Sequence, residues 1–209
     1  MKLRVCMAAA SAIAAFTSAC LRADDRLPLI PREKRTEAQK KAAQMLAEKG
    51  EPMSGAFVPL LRSPELMLAT KAVGDYLDLK TVLSPRVREL AILIVTREWT
   101  QQMQWQTHYP LALKAGVRRD TLDAIAEGRR PPNLAEEELA AYDFSMELLR
   151  NKSISDSTFR RALEAFREQG VVDLLAVNGY YGFLATVMNG ARTQFPDNAN
   201  TLLLKRFPD

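Results

Sequence analysis

The chain contains a single histidine, His108, and polar side chains surround it at helical spacing. Steps of three and four residues connect Gln101, Gln104, Trp105, His108 and Ala112, so a helix places all five on one face. That face is polar and aromatic together, unlike the apolar stripe that packs into a core. Because an imidazole titrates near neutral pH, the pattern allows proton transfer, although a lone histidine is more often structural; both interpretations stay open at this point.

A second ionisable residue, Glu89, directly precedes the apolar run Leu90–Val95. A helix that is apolar on nearly every face lies inside a bundle. Two interpretations of Glu89 follow. It lies at the mouth of a buried pocket, where it orients or relays a proton. Alternatively, it is an acid near a helix N-terminus that the macrodipole and Arg86 or Arg88 stabilise.

The only cysteines are Cys6 and Cys20, close to the start of the chain. A mature chain that begins at Asp24 has no thiol, and one that begins at Cys20 has a single terminal thiol. Neither form makes an internal disulfide or performs two-thiol redox chemistry. With one histidine and no further cysteine, a Cys/His zinc site is excluded. We therefore predict neither metal nor cofactor.

The first 23 residues have the pattern of a secretory signal peptide. A basic MKLR precedes the apolar run VCMAAASAIAAF, which is shorter than a membrane span, and small residues allow cleavage after Ala19 or Ala23. If Cys20 is lipidated, the protein is a lipoprotein and the membrane is one of its partners. We predict an exported protein, periplasmic or secreted; an uncleaved N-terminal helix is the alternative.

Composition points to an ordinary globular protein, with 47% hydrophobic and 26% charged residues. The formal net charge is +4, and Lys2, Arg4 and Arg22 of the leader supply three of those charges. No basic stripe with interleaved aromatic residues is present, so we predict no nucleic-acid partner. A small molecule is the expected ligand.

Beyond residue 32 the sequence predicts helices and no sheet, because no long stretch alternates with period two. Ser-Pro pairs at Ser63 and Ser84 begin two of the helices. Glycines end four others at Gly50, Gly116, Gly128 and Gly170. The last helix, residues 171–190, is long and mostly apolar. Its Asp173, Asn178 and Asn189 favour a buried core helix over a membrane span.

The stretch LSPRVRELAILIVTREWTQQMQWQTHYPLALKAGV, from Leu83 to Val117, resembles the core of the carboxymuconolactone decarboxylase family, which includes the alkylhydroperoxidase D-like proteins. The most specific parts are RSPEL, LSPRVREL, W-x-x-H and the A-x-x-x-G that ends at Gly116. The resemblance implies an all-α orthogonal helical bundle over residues 56–195. A linker and N-terminal helix (24–55) precede it and a tail (196–209) follows. It also implies a homo-oligomer, a trimer or hexamer.

In the peroxidatic branch of that family, a histidine lies four residues after a C-x-x-C motif and a glutamate twelve residues before it. Aligned on His108, the two cysteine positions fall on Gln101 and Gln104, and the glutamate position falls on Glu89. The resemblance thus implies a site with its proton-handling pair but without its thiols. Peroxiredoxin-type activity is therefore disfavoured, because hydroperoxide reduction on this pattern needs a thiolate.

The decarboxylase branch implies cofactor-free acid–base chemistry on a small carboxylated lactone or ring compound, with His108 and Glu89 as the catalytic pair. The predicted substrate-binding residues are Gln101, Gln104, Trp105, Tyr180 and Tyr181. The glutamines hydrogen-bond a carboxylate or carbonyl, and the tryptophan excludes water. The two tyrosines form the opposite wall, unless they are core aromatics. A non-catalytic exported binding protein is the alternative from another class.

Overall fold

The computed structural model describes residues 25–48, 50, 52–193 and 204–205. The predicted signal peptide (1–23), with Cys20 and both cleavage sites, lies outside the described residues, as does most of the predicted tail (196–209). Within the described ranges every regular element is a helix and no strand occurs. The all-α prediction is confirmed.

Eight α-helices follow a short 3₁₀ turn at Arg32–Lys34. They are α1 Glu37–Glu48, α2 Phe57–Leu60, α3 Pro64–Leu79, α4 Pro85–Glu98, α5 Gln102–Lys114, α6 Arg119–Ala126, α7 Glu136–Asn151 and α8 Asp156–Ala191. Local sequence sets several of these ends. Pro85 occupies the first turn of α4, and the Ser84 hydroxyl accepts a hydrogen bond from the Val87 N–H at 3.3 Å. Gly116 and Gly128 end α5 and α6 with φ of 93° and 70°, a conformation that favours glycine.

The helix α4 lies at the centre of the bundle, as its sequence predicts. Leu90 to Val95 are each no more than 1% exposed. One side of the helix, including Ile92, packs with α7 and α8 in a cluster that contains Phe144. The other side, including Ile94, packs with α5, α6 and α7 in a cluster that contains Trp105. Because α4 is buried on both sides, the backbone that carries Glu89 is held rigidly.

The helix α8 differs from the sequence prediction in where it breaks. The predicted boundary is Gly170, but the non-helical residue is Arg167, with φ 60° and ψ 177°. A Cβ at Gly170 would lie 2.7 Å from the Cβ of Phe166, so the glycine is needed for close approach at this kink. Gly170 therefore permits the break without being its site.

Among the described residues, α8 is the one helix long and apolar enough by composition to cross a membrane, and half of that apolar window is buried in the protein. Its Asp173 is 1% exposed and accepts three hydrogen bonds. The donors are the Tyr76 hydroxyl (2.9 Å), the Thr81 hydroxyl (2.7 Å) and the Val82 N–H (2.9 Å). This buried carboxylate fixes the connection between α3 and α4 against α8, which agrees with a core helix.

Candidate functional site

The helices α4 and α5 pack against each other and are joined by the short corner at residues 99–101. Glu89 comes from the N-terminal half of α4 and His108 from the middle of α5. The two side chains meet, with 2.8 Å between His108 Nδ1 and Glu89 Oε2. Their side chains are 14% and 5% exposed, respectively. The predicted contact between these residues is confirmed; their catalytic role stays a prediction.

The contact indicates which nitrogen of the imidazole carries a proton. An ionised carboxylate only accepts hydrogen bonds, so Nδ1 carries a proton and donates it to Glu89. Within the described residues, no group hydrogen-bonds to Nε2 of His108. The neutral ring therefore presents Nε2 as a base, and the protonated ring presents it as an acid.

Arg88 neutralises the other oxygen of Glu89. Its Nη2 lies 3.3 Å from Glu89 Oε1, and its Nη1 donates to the carbonyls of Leu77 (3.1 Å) and Asp78 (3.0 Å) at the end of α3. Glu89 is therefore held between a guanidinium and an imidazole, one partner for each oxygen. These two contacts fix the direction of the nearly buried carboxylate.

Tyr181 of α8 packs against the histidine. The Tyr181 and His108 rings meet edge to face, with centroids 5.1 Å apart and an interplanar angle of 87°. Burial raises the pKa of the Tyr181 hydroxyl well above its ordinary value, and the carboxylates of Asp78 and Glu89 raise it further. The hydroxyl therefore stays protonated near neutral pH and acts only as a neutral group.

Tyr180 lies one layer further from His108. Its ring meets Tyr181 edge to face at 5.2 Å, and its hydroxyl packs against Gly74 of α3. A Cβ at Gly74 would lie 2.4 Å from the Tyr180 hydroxyl oxygen, so the helix needs a glycine there. Of the two predicted tyrosines, Tyr181 contacts His108, and Tyr180 supports Tyr181.

The two glutamines at the thiol positions have different surroundings. Gln101 is the N-cap of α5: its Oε1 accepts from the N–H groups of Met103 (2.7 Å) and Gln104 (3.4 Å), and its Nε2 donates to Asn189 (2.8 Å). Gln104 donates from Nε2 to the Tyr181 carbonyl at 3.2 Å. Its buried Oε1 has no partner among the described residues. A substrate contact from Gln101 would require its present bonds to open, whereas Gln104 has an acceptor to offer.

Trp105 is fully buried on the flank of α5 that faces Leu90 and Ile94. It stacks obliquely with Tyr109, with centroids 5.8 Å apart. Trp105, which the sequence predicts as a wall of the pocket, thus lies in the core beside the site. Its substrate-binding role stays a prediction.

A groove of about 610 Å³ opens beside Glu89. Leu111 is the largest apolar side chain on its walls. The charged residues on the walls are three cations and two acids: Arg86, Arg88, Lys114, Glu89 and Glu137. Leu111 is 44% exposed and lies three residues after His108, on the same side of α5. The sequence analysis named Arg86 only as a possible partner of Glu89, and it missed Lys114. The signal available in the sequence was helical spacing, because Leu111 and Ala115 follow His108 by three and seven residues and so lie on the same side of α5.

No three His, Cys, Asp or Glu side chains in the described part of the chain lie close enough to hold a metal ion. The site itself offers an imidazole with one free nitrogen, a fixed carboxylate, a neutral phenol and a groove with cations on its walls. Such a set transfers protons and binds small polar molecules.

Comparisons with known proteins agree with the fold. Residues 64–145 match the family model of the carboxymuconolactone decarboxylase family. A variant of the debrominase Bmp8, in complex with 2,3,4-tribromopyrrole, superposes with a TM-score of 0.64 at 14% identity, over 83% of this chain and 93% of that one. An alkylhydroperoxidase AhpD core protein from Ralstonia eutropha JMP134 has the same TM-score and coverages at 18% identity.

A peroxidase-related protein from Silicibacter sp. TM1040 matches with a TM-score of 0.58 and 17% identity, over 80% of this chain and 88% of that one. No curated protein sequence matches the chain significantly. At these identities the structural likenesses show a shared AhpD-like fold, and the family match spans both Glu89 and His108. Residues 64–145 of the chain are therefore similar to the carboxymuconolactone decarboxylase family, and Gln101 and Gln104 stand where its peroxidatic branch has the C-x-x-C motif.

Proposed function

We propose that this protein is a cofactor-free lyase that removes a carboxylate from a small carboxylated lactone or related ring compound. His108 transfers the proton and Glu89 orients His108. The observation that carries the proposal is the 2.8 Å bond between His108 Nδ1 and the nearly buried Glu89 carboxylate, which leaves Nε2 without a protein partner. Most polar atoms of buried side chains have a hydrogen-bond partner, so an Nε2 without one is available to a ligand.

In this reaction the bond between the ring carbon and the carboxylate breaks, and carbon dioxide leaves. The electron pair is delocalised towards the conjugated carbonyl of the substrate and then forms a C–H bond. Nε2–H of the protonated His108 supplies that proton, and Glu89 stabilises the imidazolium beforehand. Water then reprotonates the ring, so the enzyme returns to its starting state without a cofactor.

The groove beside Glu89 supports a ligand of this class. Arg86 pairs with Glu138 at 3.6 Å, so Lys114 is the cation on the walls that best suits an anionic group, and Leu111 offers apolar surface to a ring. The Bmp8 debrominase, solved with a brominated pyrrole, supports a small ring as the ligand size for this fold.

We also propose that the protein works outside the cytoplasm as a homo-oligomer, on the basis of the N-terminal sequence pattern and the family resemblance. Hydroperoxide reduction is disfavoured as the function. Both positions that carry thiols in the peroxidatic branch are glutamines, and the sequence has no cysteine after Cys20.

The test is release of carbon dioxide from 4-carboxymuconolactone and from a panel of other small carboxylated lactones. His108→Ala is expected to lower the rate by about 10²- to 10⁴-fold, the usual contribution of a positioned general acid. Thr107→Ala, an exposed neighbour on the same helix, is the matched control and is expected to keep the wild-type rate.

Two results would overturn the proposal. One is a His108→Ala variant that releases carbon dioxide as fast as the wild type. The other is tight binding of panel compounds with no turnover, which would establish the binding-protein alternative.

A further inference from the structure

A short segment near the C-terminus, Leu204–Lys205, lies on the corner between α4 and α5; we name it the clasp. The side-chain amide of Gln102 pairs with the Leu204 backbone in both directions. Nε2 donates to the Leu204 carbonyl at 2.6 Å, and Oε1 accepts from the Leu204 N–H at 3.0 Å. Arg97, which is 4% exposed, donates from Nη1 to the Lys205 carbonyl. The corner therefore binds the clasp through its backbone.

The Leu204 side chain is also inserted into the core. It is 5% exposed and belongs to the apolar cluster that contains Leu90, Ile94, Trp105 and Tyr142. Two of these neighbours are close in sequence to the site. Leu90 follows Glu89 directly, and Trp105 lies one helical turn before His108. Leu204 thus belongs to the same packed cluster as residues of α4 and α5 that neighbour the site in sequence.

This placement couples the clasp to the Glu89–His108 bond. Arg97 belongs to the last turn of α4 and Gln102 to the first turn of α5, so the clasp contacts both helices where they join. Without Leu204, a cavity beside Trp105 would allow α5 to rotate or slide against α4. His108 is six residues from Gln102 on the same helix, so a movement at the corner is transmitted to its ring.

We propose that Leu204 and Gln102 are positioning residues, which hold α5 against α4 so that His108 Nδ1 stays bonded to Glu89. The inference concerns the geometry of the site and does not depend on which reaction the site performs. It adds a distant segment of the chain to the elements that keep the histidine in one tautomer and one orientation.

The experiment uses the single histidine as a reporter. In full-length protein without a histidine tag, the Nδ1 proton of His108 is followed by NMR, and its exchange with water is measured. Leu204→Ala and Gln102→Ala are each expected to speed this exchange at least about tenfold, because the Nδ1–H···Oε2 bond opens more often. The matched controls are Leu79→Ala, at a leucine that is 80% exposed, and Gln44→Ala on α1.

A reference signal separates positioning from general loss of stability. The backbone amide of Phe144, which is fully buried on α7, reports opening of the whole bundle in the same sample. The proposal requires the His108 proton to be affected more strongly than the Phe144 amide. It also requires Leu204→Met, which refills the cavity, to restore slow exchange.

Equal acceleration of both signals, or no change at His108, would overturn the proposal. If Leu204→Ala fails to fold, the same exchange measurement on Gln102→Glu tests the proposal. It keeps the acceptor for the Leu204 N–H but sets a carboxylate against the Leu204 carbonyl, and faster exchange at His108 alone is expected. Because no substrate is involved, failure of the lyase proposal and failure of this one are distinguishable.

Discussion

Replacing Glu89 with glutamine tests the site at its centre, because the change forces a choice between two donors. Oε2 of Glu89 is 2.8 Å from His108 Nδ1, and Oε1 is 3.3 Å from Arg88 Nη2. A carboxamide has one acceptor oxygen and one NH₂ group. In Glu89→Gln, either the imidazole or the guanidinium must therefore face the NH₂ group.

The two donors differ in whether they can give up the proton that would face the NH₂ group. Arg88 has only donors and cannot lose its proton, whereas a neutral imidazole can move its proton from one nitrogen to the other. We expect the amide oxygen to turn towards Arg88 and the NH₂ group to donate to Nδ1 of His108. The ring proton then resides on Nε2, and Nδ1 no longer faces the carboxylate that stabilises the proton-donating imidazolium.

The expected size of the effect follows from these contacts. Loss of one charge-assisted hydrogen bond removes roughly 1.5–3 kcal/mol, which at about 1.36 kcal/mol per tenfold lowers kcat/KM about 10- to 150-fold. A fully inverted tautomer adds to this, up to the roughly 10⁴-fold loss known from carboxylate-to-amide changes in catalytic triads. We expect Glu89→Gln to lower kcat/KM by a factor between about 10 and about 10⁴.

The assay needs no substrate in its first stage. The ¹⁵N shifts of the only imidazole distinguish the two tautomers at a pH where the ring is neutral, and wild type should show Nδ1–H. Glu98→Gln, the same change on α4 at a residue that pairs with Arg150, is the control and should leave the shifts unchanged. A Glu89→Gln spectrum identical to that of wild type would refute the orienting role of Glu89.

Three further predictions concern the rest of the molecule. Protein that starts after Cys20 should not reduce an organic hydroperoxide with a dithiol above the uncatalysed rate, and such activity would contradict the assignment. The double variant with Gln101→Cys and Gln104→Cys should form a disulfide and reduce the hydroperoxide at a slow rate. Asp173→Ala should lower the free energy of unfolding by about 3–5 kcal/mol in chemical denaturation, because three donors lose a buried acceptor; a loss below about 1 kcal/mol would be inconsistent with those bonds. Light scattering should report a trimer or a multiple of it at micromolar concentration, and a monomer would argue against the resemblance as a guide to assembly.

The contact between Glu89 and His108 was predictable because its signals are local. The apolar run after Glu89 predicts a central helix, and family spacing places His108 on the next one. The partner of Glu89 on its other side was less predictable. Arg88 reaches the carbonyls of Leu77 and Asp78 at the end of α3, a contact that depends on how α3 docks rather than on periodicity.

Residues that the sequence analysis grouped together separate in the structure. Tyr180 and Tyr181 are adjacent in sequence, but neighbouring residues of a helix point in different directions, so only Tyr181 contacts His108. Gln101 shares a helical face with His108 by spacing, yet it stands at the N-cap and turns its amide to the backbone. Leu204 joins α5 from about 100 residues away in the chain, a distance over which no local pattern carries information.

The capping role of Gln101 has a consequence for any return to redox chemistry. Its amide spans the first turn of α5 and reaches Asn189, which in turn donates to the Trp99 carbonyl at 2.9 Å. A cysteine side chain is shorter and has no amide, so it would leave these groups without their partners at a cost of about 1 kcal/mol or more. Gln101 thus has a structural role at a position that carries a thiol in the peroxidatic branch. The double-cysteine variant is therefore expected to form its disulfide at a lower free energy of unfolding than the wild type, unless Asn189 or the corner is changed as well.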